Sequence, residues 1–433
     1  SIFYIITNGD WGLGIAPPSP VPPMKTFLQH VADSLLRRYG HDLSRVTVVF
    51  PGKRASLFLD QALALSSPTP VWAPAYQTIS GLFCDASPYA LCDKVEGICR
   101  LYDAYARHVP SPQTLSQFYS WGEILLSDFD DIDKHLVDVQ QLFANVRDLH
   151  ALDDNSYITP EQEQALRAFF SNFSLQDNSA LKERFLQLWE HLPAIYADLQ
   201  GSMRAAGLLY EGALQRAVVE GLRGGAPSAD ARGTAAAALS AAGFSASRPS
   251  AFAEGTTFAF VGFNVLNAVE QALFDELQRR GQALFFWDYD VFYASAIPHH
   301  EAGHFLRQNL ERYGNELPAD CFDNFRHPKD LTIITASSEN AQARYLPQWL
   351  REHCAAGEGE TLADVRGTAA AKGTAAANQA AVVLCNEQLL QPVLHAIPDP
   401  SMPLNITMGF PFIDTPVHSF LLALAALQTD GYD

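Results

Sequence analysis

No run in this 433-residue chain approaches the ~18 apolar residues of a membrane-spanning helix, so no segment reads as a transmembrane span. Positive charge is scarce: 29 Lys and Arg stand against 48 Asp and Glu, a formal net charge of -19. That balance excludes a surface coated throughout by nucleic acid or by an anionic membrane, while a local basic channel stays compatible with it. Cysteine is sparse too. Cys84, Cys92, Cys99, Cys321, Cys354 and Cys385 form no C-x-x-C pair and follow no framework spacing, which fits reduced core thiols in a cytoplasmic protein. Residues 1–23 have neither a basic n-region nor a long apolar h-region, so they are no signal peptide, and Met24 reads as the natural start behind an upstream extension.

Catalytic signatures are also missing. A P-loop needs G-x-x-x-x-G-K-[ST], because successive backbone N–H groups cradle the phosphates while the lysine and the hydroxyl serve phosphate and metal. The nearest text, Gly52-Lys53-Arg54, lacks the upstream glycine and the following hydroxyl, and its plain reading is a strand-to-helix turn with an exposed basic pair. A PD-(D/E)XK nuclease needs an acid two positions before a lysine. Here those positions hold Pro23, Pro51, Cys92, Ile132, Ala180, His327 and Ala370. No G-x-S-x-G elbow occurs. One formal match, His300-Glu301-x-x-His304, has the spacing by which two histidines on a helix share zinc with glutamate as base, but no third ligand follows at a metalloprotease spacing.

What is present is α/β patterning in a globular composition, 48% hydrophobic, long enough for two or three domains. Residues 258–263 form a short apolar run rich in β-formers; Asn267 and Glu270 make a capping box for a helix ending at Gly281; residues 283–287 make a second strand stopped by Asp288, Tyr289 and Asp290. Such a unit belongs to a parallel sheet, whose ligands bind at the carboxyl ends of the strands. Upstream, a helix from Met24 to Gly40, a strand over 45–50, a helix from Lys53 and a strand over 70–73 before the polar loop AYQTIS extend the pattern. Strands 45–50, 258–263 and 283–287 are expected side by side and parallel across a long insertion.

The expected architecture has an N-terminal extension (1–23), a first core segment (24–90), an all-helical insertion (91–223), a low-complexity linker (224–256), a second core segment (257–327) and a partial second α/β domain (328–433) with a low-complexity loop (355–380). Both low-complexity stretches carry [RK]GTAAA hexamers and read as surface linkers. In the last domain, residues 331–335, 381–384 and 405–408 read as strands and a helix from Thr415 to Gln428 precedes an end that looks like a cut through a domain.

Several stretches together resemble a superfamily 1 (UvrD- and RecC-type) helicase module that has lost its motor residues, as in AddB-like proteins of the PD-(D/E)XK nuclease family. VVFPGKRASLFLDQAL resembles the motif after the second motor strand, APAYQTISGLF a DNA-contacting segment, FVGFNVLNAVEQALF the V-D-E-F-Q-D motif, and WDYDVFY the G-D-x-x-Q motif. The resemblance implies a P-loop-NTPase-like, helicase-type core that lacks its nuclease domain here. Gly262 and Phe263 stand in the places of the magnesium-binding Asp and the catalytic Glu, Val291 near that of the glutamine, and Asn386 near that of an arginine on the γ-phosphate. It further implies no ATP hydrolysis, no bound cofactor or metal, and a DNA-repair and recombination scaffold that contacts single-stranded or forked DNA beside an AddA-like helicase subunit, in a full-length exonuclease. Lys53 and Arg54 would meet phosphate, Thr78 and Ser80 would bond the backbone, and Trp287, Tyr289 and Tyr293 would stack on bases unless they pack in the core. The alternatives are a protein-interaction scaffold without DNA contact and a zinc hydrolase on His300, Glu301 and His304.

Overall fold

A computed structural model describes residues 4–7, 25–143, 179–223, 252–296, 301–325, 333–354, 380–397 and 404–430. The chain divides into two compact units, residues 23–327 and residues 1–22 with 328–433. Within the stretch expected to be an N-terminal extension, strand β1 (Tyr4–Thr7) belongs to the smaller unit and pairs antiparallel with residues 380–383.

The larger unit begins with α1 (Phe27–Tyr39), whose start is fixed by a capping box: Thr26 N–H donates to Gln29 Oε1 at 2.7 Å while Gln29 N–H donates to Thr26 Oγ1. It buries Val31, Ala32 and Leu35 and stops at Gly40, whose φ of +68° suits a residue without Cβ. Strand β2 (Val46–Phe50) leads through Pro51-Gly52 into α2 (Ala55–Ser66), and the next strand, β3 (Ala75–Thr78), pairs parallel with β2. This corrects the expectation of a strand at 70–73 and a loop at AYQTIS. Pro70 and Pro74 have no N–H to give a ladder, so Trp72 makes only an isolated bridge with Asp42, and regular pairing starts once the second proline is passed.

The chain then enters the helical insertion through α3 (Ile79–Ala86), β4 (Ala90–Leu91), α4 (Lys94–His108), α5 (Leu115–Lys134), α6 (Ser179–Ala205), β5 (Leu208–Leu209) and α7 (Glu211–Arg223). The insertion was expected to be strand-free, yet β4 and β5 form a two-residue parallel pair where it joins α3. The chain returns to the sheet as β6 (Thr257–Val261), α8 (Ala268–Arg279) and β7 (Ala283–Phe286), followed by α9 (His304–Tyr313). The Asn267–Glu270 capping box forms as the sequence predicts, with bonds of 2.9 and 3.0 Å.

The sheet order is β3-β2-β6-β7, all parallel, so the strands expected to be neighbours across the insertion are neighbours. Strand residues alternate between two cores. Val46, Val48, Phe50, Ala259, Val261, Leu284 and Phe286 pack on the side of α1 and α2. Val49, Phe258, Phe260, Phe285 and Trp287 pack with α8, α9 and the insertion. Both faces are covered, which accounts for the almost wholly apolar text of β6 and β7.

In the smaller unit, α10 (Glu339–Cys354), β8 (Ala380–Val383), α11 (Leu390–Ala396) and α12 (Pro416–Asp430) follow. The strand expected at 381–384 exists as β8, but it pairs antiparallel with β1. Residues 333–335 and 405–408 are irregular instead of strands; Ile333 and Ile406 are exposed there and gain no burial from pairing. Residues 331–332 and most of both low-complexity segments (224–251 and 355–379) lie outside the described residues.

The insertion is tied to the sheet layer by a polar strut. Glu211, first residue of α7, accepts from Ser80 Oγ on α3 at 2.8 Å and from Lys134 Nζ on α5 at 2.9 Å; Lys134 also pairs with Asp130 at 2.7 Å. Gly212 has to be glycine here, since a Cβ would lie 2.3 Å from the Asp130 carbonyl oxygen. Burial alone would raise the Glu211 pKa, but the bonds from Lys134 and Ser80 outweigh it and hold the carboxyl below its ordinary value. A depressed folded-state pKa adds stability that is fully present above the ordinary glutamate pKa and is lost as pH falls below it through the lowered folded-state value. Glu211→Gln is therefore expected to lower stability at neutral pH by about 1 kcal/mol, discounted for partial exposure, and to flatten the acid limb of a urea-midpoint-versus-pH curve. Superimposable curves for the two proteins would show that the strut contributes nothing.

Candidate functional site

Strand β2 leads away to β3 on one side, and the chain comes back as β6 on the other and proceeds to β7. The connections therefore diverge between β2 and β6, and at the carboxyl ends of those two strands lies an open cleft of about 900 Å³. Its floor is made by Phe50, Val261, Gly262 and Asp288; the first turn of α1 (Thr26 to Gln29) closes one side, and Pro51 to Ala55 with Phe58, Gln61 and Leu65 of α2 form another. Two helix N-termini thus lie at the cleft. That of α1 is capped by Thr26, while that of α2 has no side-chain cap.

Lys53 and Arg54 are exposed at this cleft, and the ammonium of Lys53 meets no carboxylate among the described residues. The turn carrying them is held by Ser56, whose Oγ donates to the Lys53 carbonyl at 2.7 Å. Gly262 stands at the cleft with φ +74° and its N–H donates to the Phe286 carbonyl at 3.0 Å. Phe263 turns the other way into the core, edge-on to Phe274 at 5.5 Å. Asp288 is the carboxylate of the cleft lining; desolvation by its surroundings pushes its pKa up although the residue reaches solvent. No group of three or more His, Cys, Asp or Glu among the described residues could hold a metal ion.

The other residues named from the sequence lie elsewhere. Thr78 ends β3 and its hydroxyl accepts from the Gly81 N–H at 3.1 Å, capping α3; Ser80 is committed to Glu211. Both hydroxyls already hold protein partners. Trp287 is a further correction: at 1% exposure it is a core residue, its indole N–H donating to the Gly314 carbonyl at 2.7 Å and its ring stacked on Phe285 at 5.9 Å and 3°. The alternation of β7 decides this, because a residue two beyond Phe285 faces the same buried side. Tyr289 is half-buried and stacked on Phe322 at 4.2 Å, with burial pushing its phenol pKa up. Tyr293 is half-buried in a π-helical turn (Phe292–Ala296), edge-on to Phe325 at 5.3 Å, with its carbonyl accepting from Arg307.

Val291 packs against the α1–α2 core. Asn386 belongs to the smaller unit, where it caps a short 3-10 turn and donates to Glu339 at 3.1 Å. His300 lies outside the described residues; Glu301 is in a single 3-10 turn (Glu301–Gly303), and His304 opens α9 with its ring beside Gln308. Of the residues named from the sequence, the cleft gathers Lys53, Arg54 and Gly262. The apolar wall of Phe58 and Leu65 and the first turn of α1 were not among the residues singled out from sequence patterning. The excess of large apolar residues on α2 was the available signal: Leu59, Ala62 and Leu63 suffice for its buried face, yet Leu57, Phe58 and Leu65 remain outside.

Comparison of the chain with protein-family models gives no match, and comparison with curated proteins gives none either. The burial of Trp287 has a direct consequence. Trp287→Ala is expected to cost about 3–5 kcal/mol of stability, measured by chemical denaturation, through disruption of the Phe285–Trp287–Tyr313 stack rather than through any ligand interaction. A variant as stable as the parent would place the ring outside the core.

Proposed function

We propose that this chain is a non-catalytic, helicase-like DNA-contacting scaffold of the AddB-like kind, serving a nuclease in double-strand break repair or recombination. The observation that carries the reading is the cleft where β2 and β6 part: it holds the Lys53–Arg54 turn, while the place of an acid pair for magnesium is taken by Gly262 and a buried Phe263. Cations at the carboxyl ends of parallel strands suit phosphate. Among the described residues the cleft has no paired acids, and the sequence has no P-loop, to hold magnesium against a triphosphate, so the site suits binding and not phosphoryl transfer. An AddA-like helicase subunit as partner and an exonuclease as the complete protein belong to the same proposal, on the strength of the sequence resemblance.

A second reading, a protein-interaction scaffold, draws on α12, where Val417, Phe420, Leu421, Leu422, Leu424 and Leu427 are all exposed. Salt-dependent binding separates the two. With a surface of net charge -19 repelling polyanions elsewhere, single-stranded or forked DNA is expected to bind weakly and to weaken steeply as salt rises. Lys53→Ala combined with Arg54→Ala should lower the salt slope by about 2, one for each phosphate that the variant no longer neutralises. Equal binding and slope in the parent and double variant would remove this site from DNA contact, and DNA-stimulated ATP turnover sensitive to Lys53→Ala would overturn the non-catalytic reading.

A further inference from the structure

Phe58 is 55% exposed and Leu65 69% exposed, although α2 already buries a complete stripe without them. They lie seven positions apart on one face of α2, on the wall of the cleft whose mouth carries Lys53, with Gln61 between them. Large apolar side chains held open to water beside a cation, on a chain otherwise strongly acidic, call for a ligand with a flat apolar part and one or two negative charges. We propose that this wall receives one unstacked base of a single DNA strand, whose backbone phosphate meets Lys53; the inference rests on the reading of the cleft as a DNA-contacting site. The volume of about 900 Å³ accommodates a nucleotide. Phe58 supplies a ring for stacking, and the amide of Gln61 and the carboxyl of Asp288 are groups that bond the edges of bases.

A free nucleoside triphosphate fits less well. Its phosphates need a cradle of successive N–H groups and a metal held by acids. Here the strand end offers Gly262, and Phe263 is buried. A strand presents one phosphate per base, which matches the small number of cations at the mouth.

The test is equilibrium binding of the full chain, at low salt, to an oligothymidylate and to the same strand with abasic sites. Phe58→Ala, at a solvent-exposed position, should keep the unfolding midpoint of the parent but bind the oligothymidylate about tenfold more weakly; Phe58→Tyr should restore binding. The abasic strand should bind the parent as weakly as the normal strand binds Phe58→Ala. Equal affinity of parent and Phe58→Ala, or of normal and abasic strands, overturns the base pocket, and the phosphate-contact reading still stands if Lys53→Ala weakens binding. Displacement of the strand by thymidine monophosphate with the same Phe58 dependence and at equal concentration assigns the pocket to a free nucleotide and overturns the strand. Absence of DNA binding by the parent sinks both the pocket and the reading beneath it.

Discussion

The larger unit depends on one constraint: a four-stranded parallel sheet must be covered on both faces, since each connection between its strands crosses a face instead of turning back along an edge. Alternation along β2, β6 and β7 sends side chains to two separate cores, one closed by α1 and α2, the other by α8, α9 and the helical insertion. The second core is unusually aromatic. Phe260, Phe274, Phe285, Trp287 and Tyr313 form a continuous set of ring contacts, with centroids 4.0 Å apart for Phe260–Phe274 and 4.7 Å for Phe285–Tyr313. Rings in such contact add about 0.5–1.5 kcal/mol per pair beyond area burial. This stack gives the ends of β6 and β7 a rigid base.

From the same topology comes the site. Chain connections that diverge from β2 and β6 leave their carboxyl ends open among the described residues of the larger unit, and the first turns of α1 and α2 bring backbone N–H groups and the Lys53–Arg54 turn to that opening. This chain places a glycine in the left-handed region and a phenylalanine that serves the core. The strand end contributes shape and stability to the floor of the cleft.

Polar groups as well as apolar packing fasten the helical insertion, both to α3 through Ser80 and within itself. Beside the Glu211 strut, Asp133 is wholly buried and accepts from Tyr196, Tyr210, Gln200 and Arg216, joining α5, α6 and α7 around one carboxylate. Desolvation still raises its pKa, despite the tyrosine hydroxyls and Arg216 that favour its charged form. Unlike apolar contacts, such a hub specifies the register of three helices, because each donor reaches the carboxylate in only one arrangement.

Much of this could be told from the sequence. The α1 and α8 helices, the Asn267–Glu270 box, the stop at Gly40 and the parallel placement of β2, β6 and β7 follow from local periodicity, capping chemistry and the rule that βα units share a sheet. The absence of a P-loop is equally a property of the text. Where long-range contact decides, the sequence was silent or misleading. Pairing with β2 selected residues 75–78 over 70–73; β1 and β8 found each other across most of the chain; Trp287 went to the core because β7 is covered on that side; Ser80 was taken by a glutamate 131 positions away. Lys53 and Gly262 could be named as residues in advance, but their meeting with Phe58 in one cleft required the sheet order. Local text determined elements and their caps through interactions among near neighbours, while the choice of which polar or aromatic groups stay available to a ligand was made by tertiary packing, which alone decides what each side chain touches.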